Sequence, residues 1–199
     1  MKVVAASHIT GQGVSDAALK QGLSTYVSSP PRRIDRLSLL ALLGAAPLKP
    51  VLQIDSAVYL AATYPARPNM FALLDAVCVH NRLPKPFEFV NSVSNAAGFH
   101  VAQQLGINGP NLFIGAGTQV WRDLLELASC DLESAQVQQA LLLLVDEDHD
   151  EGFSVQSLVV ESGGDALVSD SFERLTRGIE VLRFELGGDT RSAALHPIS

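Results

Sequence analysis

The residues best placed to do chemistry close the segment 89–118, which ends in Gly115-Ala-Gly-Thr118. Its pattern predicts a strand, a helix capped by Asn95, a tight turn and a buried strand, leading to the turn where an α/β enzyme would carry a nucleophile. Neither cysteine nor serine stands there; the residues are Thr118 and Gln119. A threonine hydroxyl attacks a carbonyl only when an adjacent base takes its proton, and the spacing supplies no such base. The two glycines also suit a dinucleotide-binding loop, but Val120 occupies the place of the third glycine, and no acidic residue closes an apolar strand at the distance that would hold a ribose. A close-packed turn is the plainer expectation. Gly11-Gln-Gly-Val-Ser-Asp16 fails as a phosphate loop because Asp16 would aim a carboxylate at the phosphates.

Other reactive groups are scattered. The run Asp146-Glu-Asp-His-Asp-Glu151 has donors for a hard cation but no EF-hand pattern, and reads as an exposed acidic loop. The five histidines include no i, i+4 pair, so no metal site is expected, and no cofactor motif is complete. Cys78 and Cys130 have no neighbour at metal-ligand spacing, and Asp131 beside Cys130 disfavours its thiolate. A formal net charge of −7, with Arg32, Arg33 and Arg36 as the one basic cluster, excludes a nucleic-acid groove. The start of the chain is too short in apolar residues for a signal peptide, and no run approaches the length of a membrane span. Reduced thiols and a cytoplasmic location are the resulting expectation.

These groups must be held by alternating strands and helices. Strands are predicted at residues 2–7, within 50–63 (one strand or a pair), in the run leading to Thr118, within 136–145, at 155–161 and at 180–186. Helices are predicted at 16–23 after Ser15, at 34–46, from an Asn69 cap to about residue 79 with Met70, Leu73, Leu74 and Val77 on one face, from Trp121 onward, and at 170–178 after Ser169. The Ala-Leu-Leu-Leu-Leu-Val run ending at Val145 requires a central strand or a buried helix. This order gives an α/β domain over residues 1–186 with a mixed sheet flanked by helices, and a patternless tail, 187–199, expected to be disordered. At 47% hydrophobic and 18% charged residues the chain is apolar for its size, as a buried sheet or a large partner interface would make it.

Within this frame the segment 89–111, with its Asn95-Ala-Ala and Gly109-Pro-Asn111 motifs, resembles β-ketoacyl-acyl carrier protein synthases. The start, 3–13, is similar to their first strand and turn, and 33–42 to the beginning of their first long helix; the likeness runs in order over roughly residues 1–160 and is loosest between Pro47 and Pro86. The resemblance implies the N-terminal half of a thiolase-like fold. In that family the Gly-Pro-Asn strand leads to a Thr-Ala-Cys turn whose cysteine sits at a helix N-terminus, and the catalytic histidines come from the second half. Counting from Asn111, the cysteine's place falls at Thr118, or at Gln119 with a shift of one residue.

By that resemblance the chain is like a chain-length factor, the non-catalytic partner of a full-length ketosynthase, and most like the truncated subunits of aryl polyene and xanthomonadin-type pathways. The resemblance then implies a heterodimer that meets acyl carrier protein indirectly. Asn111, Leu112, Phe113 and Ile114 would lie at the partner interface, and Phe99, Phe113 and Trp121 would be candidates for the acyl-pocket wall. Two other readings stay open: a small acyl-transferring or hydrolytic enzyme using Thr118, Cys78 or Cys130, and a homodimeric acyl-binding scaffold.

Overall fold

The computed structural model describes residues 1–29, 31, 33–148, 152–164, 167–187 and 196–197. Its centre is a seven-stranded sheet made of β1 (Lys2–Gln12), β2 (Ala57–Ala62), β3 (Asn111–Gly115), β4 (Gln139–Glu147), β5 (Gly152–Glu161), β6 (Val181–Leu186) and β7 (His196–Pro197), in the order β3-β2-β4-β5-β1-β6-β7. β2 pairs in parallel with β3 and β4, and β1 in parallel with β6, whereas β5 runs antiparallel between β4 and β1, and β7 antiparallel to β6. The sheet is therefore mixed, as expected.

Helices cover both faces. On one lie α1 (Asp16–Leu23), α2 (Arg36–Ala45) and α5 (Ala96–Leu105); on the other lie α6 (Val120–Glu133) and the single turn α7 (Phe172–Leu175). Two further short helices, α3 (Arg67–Leu74) and α4 (Pro86–Val90), fill the connection between β2 and α5. The leucine run in β4 follows from this layering. Leu141, Leu143 and Val145 enter the core beneath α2, while Ala140 and Leu142 enter the core beneath α6. A strand covered on both sides has no solvent face on which to place polar residues.

Caps and close approaches fix the helices. Ser15 accepts from the Ala18 amide at 3.3 Å and Asp35 from the Ser38 amide at 3.1 Å, so α1 and α2 each begin on a side-chain cap. Helix α2 is buried on every side from Leu37 to Ala45, with α1 and α5 packed against it and the sheet beneath. Gly44 is required there, because a Cβ would collide with Val155 of β5; the Ser7 hydroxyl donates to the Gly44 carbonyl at 2.6 Å.

At the opposite end of the parallel strands, the buried Gln139 side chain ties β4 to the segment before β2. Its Oε1 accepts from the Ser56 hydroxyl (2.6 Å) and the Gln53 amide (2.9 Å), and its Nε2 donates to the Val51 carbonyl (3.0 Å) and Glu161 (3.1 Å). The amide's hydrogen-bonding capacity is fully used. Gln139→Leu leaves these partners unsatisfied, so a loss of about 2–4 kcal/mol in chemical denaturation is expected.

Several expectations are corrected. β1 runs on through the predicted turn to Gln12, held between β5 and β6. Of the two alternatives for residues 50–63 the single strand, β2, is the one found, preceded by a 3-10 helix (Ala46–Val51) and a loop, since Pro47 and Pro50 cannot donate to a ladder. α3 starts at Arg67 after Ala66, which has φ of +47°, and Asn69 sits in its first turn, donating to the Glu88 carbonyl at 2.6 Å instead of capping. No residue of α3 or of the following π turn (Asp75–Val79) is buried. The strand predicted from residue 89 is absent: α4 occupies that place, with Pro86 at its start and Glu88 accepting from the Lys85 amide at 2.9 Å. Asn95 stands at the N-cap of α5 but makes no cap bond.

Two more lie nearer the C-terminus. The strand predicted as buried, β3, lies at the sheet edge. The helix expected after Ser169 is reduced to α7, because the Ser169 hydroxyl bonds within its own turn to Ser171. Of the acidic loop, Asp146 and Glu147 belong to β4, while His149, Asp150 and Glu151 lie outside the described residues, as do Pro30, Arg32 and most of the tail.

Candidate functional site

The turn after β3 is built by its neighbour. The Ala116 amide donates to the Ala62 carbonyl at 3.0 Å, extending the β2–β3 pairing beyond the strand, and the chain then turns into α6. Thr118 and Gln119 are both exposed at the helix N-terminus. Gln119 accepts from the Asp123 amide through its carbonyl (3.1 Å) and from Arg122 through its side chain (3.2 Å). Among the described residues nothing hydrogen-bonds the Thr118 hydroxyl, so no base is in place to activate it. Gly115 and Gly117 do not make a close-packed turn. A Cβ at either would meet nothing within 4 Å.

The other candidates are placed apart. Phe113 packs on the α5 face of the sheet and Trp121 on the α6 face, while Phe99 is 55% exposed on α5. Trp121 is anchored by its Nε1, which donates to Gln156 at 3.1 Å. On β3, Leu112 is 47% exposed and Asn111, Phe113 and Ile114 are half-buried. Cys78 and Cys130 are free and exposed. No group of three or more metal-ligating side chains occurs among the described residues, and none of their helices is long and apolar enough to cross a membrane.

Spacing gave no hint of a polar cluster around His8. Its Nδ1 faces Arg183 at 3.1 Å and its Nε2 faces the Ser154 hydroxyl at 3.0 Å. A guanidinium can only donate, so Nδ1 accepts and Nε2 carries the proton and donates to Ser154. This tautomer cannot deprotonate the serine. Ser154 and His8 are therefore not a nucleophile and base.

Burial pushes the His8 imidazole below its ordinary 6.5, with Arg183 adding to the shift and Glu173 opposing it; burial also lowers His100, against the pull of Asp35. Below about pH 6.5 the unfolded chain takes up protons that the folded histidines refuse, so stability is lost as pH falls, until the folded imidazoles titrate. The melting temperature is expected to drop over that window, and His8→Gln to flatten the drop. Comparing the two proteins isolates His8 from Asp35, whose carboxyl is raised by burial and acts in the opposite sense at lower pH.

At the same end of the parallel strands as the Thr118 turn, β2 and β4 open into a cleft of 570 Å³. Its wall includes Arg36, which donates from Nε to Glu147 (2.7 Å) and from Nη1 to the Val14 carbonyl (2.8 Å) and Asp16 (3.0 Å). In open α/β sheets this end of the strands is where ligands bind.

The fold recurs in solved structures. The chain is similar to the ishigamide ketosynthase/chain length factor (16% identity, TM-score 0.61, 71% of this chain and 48% of that one). It is similar also to a chain of the ketosynthase ApeO in complex with its chain length factor ApeC from Xenorhabdus doucetiae (16% identity, TM-score 0.60, 82% and 79%). The chain has a ketosynthase-type, thiolase-like fold. A third example of the ketosynthase fold, ketosynthase twelve of the bacillaene polyketide synthase in Bacillus amyloliquefaciens, matches with a TM-score of 0.57 at 12% identity, over 80% of this chain and 40% of that one. The chain thus spans about half or less of two of these ketosynthase-fold chains (48% and 40%) but most of the chain matched in the ApeO–ApeC complex. No protein-family model and no curated protein sequence matches it.

Proposed function

We propose that the chain is a non-catalytic ketosynthase-like subunit, of the chain-length-factor kind, that pairs with a cysteine-bearing ketosynthase in polyene or fatty-acyl elongation. The observation that carries this reading is β3. It is the outer strand of the sheet, its outer backbone edge has no neighbour among the described residues, and it exposes Leu112. An open apolar edge strand invites pairing with another chain.

Other apolar residues are exposed elsewhere on the chain. Met70, Leu74, Val77, Phe89 and Val90 stand exposed along the β2–α5 connection, apolar side chains that a partner could cover. The space around Gly115 and Gly117 leaves room for a second backbone at the end of the same strand. Asn111, Leu112, Phe113 and Ile114 are accordingly the residues assigned to the partner. The Thr118 turn supports a non-catalytic role, since it offers a hydroxyl with no base where the family resemblance puts a thiolate.

The acyl carrier protein would be met through the ketosynthase, because two acidic surfaces repel. Co-expression of the full chain with a candidate ketosynthase tests the reading. A one-to-one complex by light scattering is expected, with Thr118→Ala forming the same complex and leaving its condensation rate unchanged. Homodimers of this chain that persist and exclude the ketosynthase would instead favour a scaffold, and a loss of rate in Thr118→Ala would favour an enzyme.

A further inference from the structure

We infer that the cleft at the ends of β2 and β4 is a binding site for an uncharged apolar chain or ring, such as the hydrocarbon part of an acyl group. Val14, Leu37, Ala62 and Val145, all buried, provide its apolar lining. Tyr64 and Phe71, 56% and 60% exposed, supply two aromatic rings at its edge. The Arg67 guanidinium lies 5.2 Å from the Tyr64 ring centroid and 5.8 Å from that of Phe71, within the range of cation–π attraction, and so ties both rings to one point.

The charges around the cleft decide the class of ligand. Asp16 and Glu147 are both paired with Arg36, Asp148 accepts from the Gly152 amide at 2.7 Å, and Arg67 is engaged with the rings. A charged ligand would have to break one of these pairs to find its own. An apolar one displaces water from the lining and stacks on the rings with every one of these pairs intact. A volume of 570 Å³ falls within the range of about 300–1,000 Å³ typical of small-molecule sites.

This location differs from the wall expected at Phe99, Phe113 and Trp121, none of which lines the cleft. The inference concerns the chain by itself and stands apart from the question of its partner.

The test is a fluorescence titration of the full chain with cis-parinaric acid and, in parallel, with its methyl ester. Saturable one-to-one binding of both probes is expected. The double variant Tyr64→Ala/Phe71→Ala removes exposed rings, so the fold should survive by circular dichroism while binding weakens at least ~10-fold, the loss of about one ring contact. Val79→Ser/Leu83→Ser, on exposed apolar residues of the same connection outside the cleft, should bind as the parent does. Non-saturable binding, equal loss in the Val79/Leu83 variant, or no loss in the Tyr64/Phe71 variant would overturn the site. Binding of the acid without the ester would overturn the class, by showing that the carboxylate is what is recognised.

Discussion

Leu112→Asp is expected to abolish co-purification with the ketosynthase while leaving the isolated chain as stable as before. Leu112 lies on an edge strand, is 47% exposed and belongs to neither core cluster, so the core under β2 and α6 does not depend on it. In a paired state the same side chain would sit at the middle of the contact. A carboxylate buried there without a partner costs about 2–4 kcal/mol, the size of a hot-spot loss, and weakens association by roughly 30- to 1,000-fold. Pull-down yield and the unfolding midpoint, measured on the same preparation, check both halves of this expectation. A complex of unchanged affinity would place the interface elsewhere.

Gly109→Ala is expected to have the largest effect on folding. The residue lies in the Gly-Pro-Asn segment that delivers the chain into β3, where the backbone passes directly over the residues before β2. A Cβ at Gly109 would overlap the carbonyl oxygens of Asp55 and Ser56, and these backbone atoms, set immediately before β2, have little freedom to retreat. The same crossing is pinned by the Val58 amide, which donates to the Pro110 carbonyl at 2.8 Å, and by the Asn108 amide, which donates to the Ile54 carbonyl at 2.7 Å. Moving the segment outward breaks both bonds. We expect a loss of about 3 kcal/mol and a melting temperature lower by roughly 6–12 °C, read by calorimetry. A Gly109→Ala protein with an unchanged melting temperature would mean that the crossing is loose.

Local signals carried much of this architecture. Ser15 announces α1 because a cap acts within three residues of itself, whereas Asp35, inside the helix expected over 34–46, is the cap of α2. The leucine run of β4 required burial on both faces, and the sheet provides it. What failed was decided at long range. Asn95 has the right type for a cap, but its amide nitrogen donates 3.3 Å to the Asn111 carbonyl, sixteen residues away, a competitor that no window of sequence displays. Met70, Leu74 and Val77 have helical spacing, which identifies a face but not what covers it; among the described residues nothing buries them.

Helix α4 had a readable signal in Pro86 and Glu88, outweighed by the apolar residues after it. The segment ending at Thr118 was correctly placed at the end of a strand and the start of a helix, yet its strand lies at the edge of the sheet and its glycines face open space. The cleft could not have been found from spacing. Its lining comes from the turn after β1, the start of α2, the ends of β2 and β4, and α3, brought together only by the sheet order.

The central claim is that this chain supports elongation without performing it. The most direct measurement is condensation of an acyl primer with malonyl-acyl carrier protein by the ketosynthase alone, by this chain alone, and by the two together, with products resolved by mass. Elongation by the pair, with little from the ketosynthase alone and none from this chain alone, is the predicted result. Condensation by this chain alone, or equal rates and product lengths from the ketosynthase with and without it, would contradict the account.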